Sequence, residues 1–208
     1  MKLYDSRRAP NPRRVRWLLA EKAVTDLEIV QVDIMRGEHR ADDYVARAGL
    51  ANVPALELDD GTTITESLAI CRYLESVYPE PNLFGRDPRE SAVIEMWTRR
   101  TEMMLATPLM LAVRHSHPAL AALERQVPEV AATNRAGGER ALAVFERRLA
   151  DSAFIAADRV TIADIVAITA LDFARMVQFA PSAEHANVAR WAEAMRARPA
   201  AAASLAAT

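Results

Sequence analysis

Two short stretches of this chain combine residue types that can hold a charged ligand. Thr65-Glu66-Ser67 closes a β-rich run and opens a helical one, a junction where unpaired amides and the helix dipole favour an anion. Ser67 there reads equally as a helix cap with no ligand. Twelve residues before Glu66 stands Val53-Pro54, a proline that opens a strand and leaves the backbone of the residue before it free to meet something else. An edge proline is the plain alternative, and spacing alone does not establish a cis bond. Taken together, joined by the turn signal Asp59-Asp60-Gly61, the two stretches lie side by side on one sheet edge. Other candidates carry less. His115 and His117 form a metal-like HSH pair, but no further ligands stand at suitable spacing, so they read as loop histidines. Cys71 is the single cysteine, which excludes an internal disulfide or a CxxC centre and fits a reducing compartment. Its place on the apolar side of a helix makes it a buried structural thiol. Thr161-Ile-Ala-Asp164 reads as a capping box, stapled by Val160 and Ile165, with a structural role.

The elements that must position these residues fall into two halves of different grammar. In the first, residues 2–4 form a strand, and Asn11-Pro12 opens a helix with a capping residue and a proline at its first turn. Residues 27–34 alternate as a second strand, and ADDYVARAG is a short helix ending at Gly49. VPALELDDG and TTITES form a hairpin, and SLAICRYLESVY is a helix with apolar residues at 68, 70, 71, 74 and 77. The order βαβαββα, with a parallel pair, a hairpin and a covering helix, predicts an α/β thioredoxin-like domain over residues 1–80. Residues 81–88 read as a linker, since YPEPNLFGRDP with Pro79, Pro81, Gly85 and Pro88 cannot continue a helix. Residues 89–208 are helical throughout in pattern, an all-α C-terminal domain whose Ala-rich end (200–208) is expected to fray.

Bulk properties bound the function. A length of 208 residues suits one large domain or two small ones, and 51% hydrophobic with 26% charged residues suits an ordinary folded protein. A formal net charge of −2 gives no field to draw nucleic acid or anionic lipid, so neither is an expected partner. The N-terminus lacks a signal-peptide run and no segment approaches the roughly 20 apolar residues that cross a bilayer, so a cytoplasmic location is expected.

MKLYDSRRAPNPRRVRWLLAEK, VPALELDDGTTITESLAICRYLE and FIAADRVTIADI resemble the corresponding segments of bacterial glutathione transferases of the serine-type, theta-like kind, in the same order and over nearly the whole chain. The resemblance implies a cis bond before Pro54, a backbone pairing of Val53 with the cysteinyl part of glutathione, and a γ-glutamyl end held by Glu66 and Ser67. Charge agrees: Glu66 can accept from the α-ammonium, while the Ser67 hydroxyl and the helix-start amide hold the α-carboxylate. The glycine carboxylate needs a basic partner, and His39 or Arg40 after the second strand supplies it, His39 being the better positional match. Departures from the family pattern are Asn52, where a lysine often precedes the valine, and Ala48-Gly49 in place of Asn-Pro.

The family activates the sulfur of glutathione, which then attacks an electrophile. The serine that donates to the thiolate lies, in sequences resembling SPNPRRVR, where this chain has Ala9, so the usual hydroxyl is missing. Asn11 is the first substitute, with helix capping as its alternative role, and Ser6 the second. Arg7 or Arg8 could act by charge, and Tyr4 ranks low. The resemblance places an electrophile pocket between the halves, with soft apolar surface from Met103, Met104, Met110, Phe173, Met176 and Phe179. It also implies a homodimer, which Arg72, Glu75, Trp97, Arg99, Arg100 and Glu102 would suit. The expected function is conjugation of glutathione, a co-substrate, to an apolar electrophile in detoxification, without metal or other cofactor. A glutathione-dependent isomerase or peroxidase on the same fold, or a weakly catalytic ligand-binding module, are the alternatives.

Overall fold

The computed structural model describes residues 1–206. It divides into two compact units, Met1–Pro81 together with the chain from Pro199 onward, and Asn82–Arg198. In the first unit β1 (Lys2–Asp5), α1 (Pro10–Glu21), β2 (Glu28–Gln31), α2 (Asp42–Ala48), β3 (Ala55–Glu57), β4 (Thr63–Thr65) and α3 (Ser67–Val77) follow in the βαβαββα order. The sheet order is β2-β1-β3-β4, with β1 parallel to β2 and the pairs β1–β3 and β3–β4 antiparallel. This is the thioredoxin-like arrangement, and the helical second unit completes the α/β plus all-α fold class.

Alternation along the strands gives the sheet two apolar faces. Tyr4, Val32 and Ala55 pack with Tyr44 and Ala48 of α2, Tyr4 meeting Tyr44 edge to face at 5.9 Å. Leu3 and Leu56, paired in register, point the other way and are fully buried. Helices α1 and α3 pack on each other and carry the fully buried Val15, Leu18, Ile70, Cys71 and Leu74. The β3–β4 turn closes as the sequence predicts: Gly61 adopts φ 85° and the Leu58 amide donates to the Thr62 carbonyl at 2.8 Å.

In the second unit α4 (Pro88–Arg100) continues through a π-helical stretch, Thr101–Ala106, into α5 (Thr107–Arg114); α6 (Pro128–Leu149), α7 (Ile162–Ala174) and α8 (Ala186–Arg196) follow. Helix α7 is buried from Ile162 to Leu171, a stretch apolar but for Asp164 and Thr169. Its start is organised by Asp164, wholly buried, which accepts from the Thr161 amide (3.0 Å) and hydroxyl (2.9 Å), the Ile155 amide (2.9 Å) and the Trp191 indole (3.0 Å). No helix among the described residues is long and apolar enough to cross a membrane.

Three local expectations are corrected. Helix α1 begins at Pro10, not Asn11: Ala9 is its N-cap and offers no side-chain bond, because prolines at both 10 and 12 suit a first turn and the earlier one takes it. Strand β2 covers only residues 28–31, and the chain then folds into two 3₁₀ turns, Ile34–Arg36 and Glu38–Arg40. The Ala-rich end is not frayed over 200–206. Pro199–Ala203 form a short helix, α9, that packs on α1, with Ala200, Ala201 and Ser204 buried, so it belongs with the first unit rather than the helical one. Residues 207 and 208 lie outside the described residues.

Candidate functional site

Topology gathers the chemistry-bearing segments. With β1 and β2 parallel and β3 antiparallel to both β1 and β4, the C-terminal ends of β1, β2 and β4 share one end of the sheet with the N-terminus of β3. The Ser6–Ala9 loop into α1, the turns carrying His39, the Val53-Pro54 pair and Glu66-Ser67 all issue from that end.

The Val53–Pro54 bond is cis. The β3–β4 ladder starts at Ala55 opposite Thr65, so Pro54 and Glu66 follow directly beyond the last pair and Val53 lies outside the ladder. Glu66 is exposed and holds φ 65°, ψ 118°, a left-handed region costly for a residue with a Cβ, about 1–3 kcal/mol. Strain of this kind persists where a fold needs a particular side-chain direction. Glu66 occupies the N-cap position of α3, so Ser67 is the first helical residue rather than its cap. Ser67 is buried, and its Oγ accepts from the Arg14 guanidinium of α1 at 3.2 Å.

Three other predicted residues carry buried polar atoms with no hydrogen-bond partner among the described residues: Asn11 Oδ1, His39 Nδ1 and Asn52 Oδ1. Buried polar groups are nearly always paired, so three such atoms on segments leaving one sheet end offer spare hydrogen-bonding capacity to a polar molecule. Freed from capping, Asn11 in the first turn of α1 can turn its amide to present either Oδ1 or Nδ2. Burial, with the neighbouring Arg40 charge adding to it, pushes the His39 pKa down, so at neutral pH it is an uncharged donor rather than a cation. The basic partner expected for a carboxylate is thus a neutral imidazole. Arg40 itself is exposed. The Asn52 carbonyl accepts from the Tyr44 hydroxyl at 2.6 Å, which pins the chain just ahead of Val53.

Ser6 is buried, and its carbonyl accepts the Ala9 amide at 2.9 Å, closing the tight loop before α1. Arg7 and Arg8 are exposed. Tyr4 is committed elsewhere: its hydroxyl donates to Glu57 at 2.8 Å and accepts from Arg47. It also lines a cavity of about 290 Å³ with Val30, Val32, Tyr44 and Arg47, which contains none of the residues predicted to hold a ligand. The loop is fixed from below by Arg16, which pairs with the wholly buried Asp5 and donates to the Arg7 carbonyl at 2.8 Å.

In the helical unit Met103, Met104 and Met176 are exposed, and Met110 and Phe173 partly so. Phe179 is 2% exposed with the Arg135 guanidinium 5.4 Å above its ring, a core residue rather than pocket surface. Trp97 lies against Phe145 with Arg100 and Arg148 near its faces, which accounts for much of the charge and aromatic surface on α4 within the chain itself. His115 and His117 accept loop amides from Val127 and Ala119, both at 3.2 Å, and Cys71 is a fully buried thiol pushed up to about 12 by burial. Arg14 was missed by sequence reasoning. Its signal was available, since an arginine on the buried stripe of an amphipathic helix needs a polar partner.

Comparison with known proteins agrees with this geometry. Residues 1–76 match the family described as "Glutathione S-transferase, N-terminal domain", and residues 101–199 match "Glutathione S-transferase, C-terminal domain". "Glutathione S-transferase 2" of Saccharomyces cerevisiae is 33% identical over 96% of this chain and 87% of its own length. A crystal structure of Gtt2 from the same yeast superposes with a TM-score of 0.92 at 32% identity, covering 99% of this chain and all of that one. A glutathione S-transferase domain-containing protein from Marinobacter aquaeolei VT8 superposes with a TM-score of 0.91 at 38% identity, covering 97% of this chain and all of that one. On these matches, over a sheet end that gathers a cis-proline, a strained acidic residue and a helix start, the chain belongs to the glutathione S-transferase family.

Proposed function

We propose that this protein conjugates glutathione, through its thiolate, to an apolar electrophile, in cytoplasmic detoxification and as a homodimer, with no metal or other cofactor. The observation that carries the reading is the trio of unpartnered buried atoms on Asn11, His39 and Asn52, beside the strained Glu66 and the start of α3. Glutathione offers complementary groups: an ammonium for Glu66, a carboxylate for Ser67 and the first α3 amides, a second carboxylate for His39, and a thiol near the first turn of α1. A free thiol with a pKa near 8.5 is only a few per cent ionised at pH 7, and lowering it by two units takes about 2.7 kcal/mol. One hydrogen bond to the thiolate supplies about 1.5–3 kcal/mol of that, and the α1 N-terminus adds to it. With Ala9 unable to donate, Asn11 Nδ2 is the side chain assigned this role. The thiol proton leaves to solvent and the thiolate attacks carbon, either displacing a leaving group that departs with the electrons of the broken bond or adding to an activated double bond whose neighbouring carbon then takes a proton from water. The exposed methionines Met103, Met104 and Met176, with Met110 and Phe173, supply adaptable apolar surface for the electrophile.

A glutathione-dependent isomerase is the second reading. It is favoured by a 42% identity to a maleylacetoacetate isomerase of Pseudomonas aeruginosa, over 44% of this chain and 44% of that protein.

The test is an ultraviolet titration of the thiolate of bound glutathione. Ionisation at pH 7 that weakens in Asn11→Ala, by roughly tenfold to a hundredfold in the thiolate equilibrium, supports the mechanism. Ala9→Ser should raise turnover. A bound thiol that stays protonated at pH 7 removes the mechanism and leaves a ligand-binding protein.

A further inference from the structure

The contact between Arg14 and Ser67 joins the second turn of α1 to the first residue of α3 across 53 positions of sequence, and both residues are buried, at 2% and 5% exposure. An arginine guanidinium has only donors, so at 3.2 Å the Ser67 oxygen must accept. A hydroxyl held as an acceptor from within the protein has its own proton left to place, and Ser67 stands where β4 gives way to α3. We propose that Arg14 is a positioning residue that presents the Ser67 proton, backed by its own charge, to the α-carboxylate of the γ-glutamyl group.

The charge argument is independent of the hydrogen bond. Around the buried Cys71 stand two cations, Arg14 and Lys22, and one carboxylate, Glu75, which pairs with Lys22 at 2.8 Å. Arg14 is a buried cation bonded to the first residue of α3, where a charge acts over a longer range than in water, and a substrate carboxylate docked at that helix start is an anion that it favours. Recognition of glutathione by its α-carboxylate is then set from beneath the binding surface, by a residue of α1 that meets the ligand only through Ser67.

The inference rests on the glutathione reading above, and the experiment separates the two. Dissociation constants are measured calorimetrically for glutathione and for the same tripeptide lacking the α-carboxylate, 4-aminobutyryl-cysteinyl-glycine. A wild type that binds both equally overturns the Ser67 reading, and this proposal with it, before any variant is made. Given a wild-type preference for glutathione, Arg14→Met should cut that preference by roughly tenfold and leave the affinity for the truncated peptide within about twofold. An equal loss for both peptides marks Arg14 as merely structural and overturns the proposal, as does an unchanged preference. If Arg14→Met does not fold, Arg14→Lys carries the same comparison. A lysine keeps the charge but not the reach of the planar fork, so an intermediate preference is expected, and one equal to wild type overturns the proposal.

Discussion

His39 is a titratable group whose burial has a functional sign. In the free protein its pKa is lowered, chiefly by burial and secondarily by the Arg40 charge, and its Nδ1 has no partner among the described residues. A glycine carboxylate placed against the imidazole would favour the protonated form and raise that pKa in the complex. Binding would therefore take up a proton, and affinity should strengthen as pH falls through the complex's His39 pKa towards the lower one of the free protein. S-methylglutathione, which has no thiol to titrate, is the ligand that isolates this effect. We expect its dissociation constant to fall several-fold between pH 7.5 and 5.5, roughly the range around an ordinary imidazole. In His39→Gln the slope should vanish. A wild-type affinity that is flat over this range would remove His39 from the carboxylate's contacts.

At the scale of elements, the entry to α4 shows how an ion pair is built into a helix start. Asp87 caps the helix, accepting from the Arg89 (2.8 Å) and Glu90 (2.9 Å) amides, and Glu90 turns back to the Arg86 amide at 2.7 Å while Arg159 grips it with two nitrogens. The hydrogen bond from Arg159 is the main cause that holds the Glu90 carboxyl at about 2, well below its ordinary 4.5. A carboxyl lowered on folding contributes stability above its unfolded value and loses it as pH falls from about 4.5 to about 2. Arg159→Met should lower the melting temperature at pH 7 by about 2–4 °C, for a partly exposed pair contributing near 1 kcal/mol. The gap between variant and wild type should narrow as pH falls from about 4.5 towards 2, and a gap that stays at its neutral-pH size over that range would assign the loss to packing. The signals that sequence carries well are local ones of this kind: Gly49 ends α2 at φ 74°, Gly61 turns the hairpin, and Asp164 organises α7. The misread start of α1 had two acceptable prolines, and the capping type of Asn11 pointed to the later one while the helix begins at the earlier, capped by an alanine that gives no side-chain signal. Long-range partners were illegible. That the buried arginines of α1 need acceptors is local information, but which acceptors serve Arg14, Arg16 and Arg13 is not, because Ser67, Asp5 and Ser204 stand 53, 11 and 191 positions away. The φ of Glu66 was equally hidden, since nothing in its neighbours demands a left-handed residue.

At the scale of the molecule, the chain leaves its first unit at Pro81, builds the helical unit, and returns from Pro199 to the unit where it began. The return is held by polar bonds as well as apolar contact. Ser204, fully buried, receives Arg13 Nε on its hydroxyl at 3.2 Å and Arg16 Nε on its carbonyl at 2.9 Å. Arg16 in turn fixes Asp5, which also accepts from Gln31 at 2.9 Å, and the Arg7 carbonyl of the loop that leads to Asn11. A chain ended at Arg198 leaves two buried guanidinium groups each short of an acceptor, and hydrogen bonds to charged groups contribute about 1.5–3 kcal/mol apiece. We expect this truncation to cost about 3 kcal/mol or more in urea unfolding. Its effect should also appear at the thiol, as a raised pKa of bound glutathione, because the Arg7 carbonyl is no longer held by a fully anchored Arg16. Ser204→Ala removes the hydroxyl and keeps the carbonyl, so it should cost stability through Arg13 yet leave the thiol pKa unchanged. Equal thiol pKa values in the truncated and full-length proteins would confine the C-terminal segment to a purely structural part.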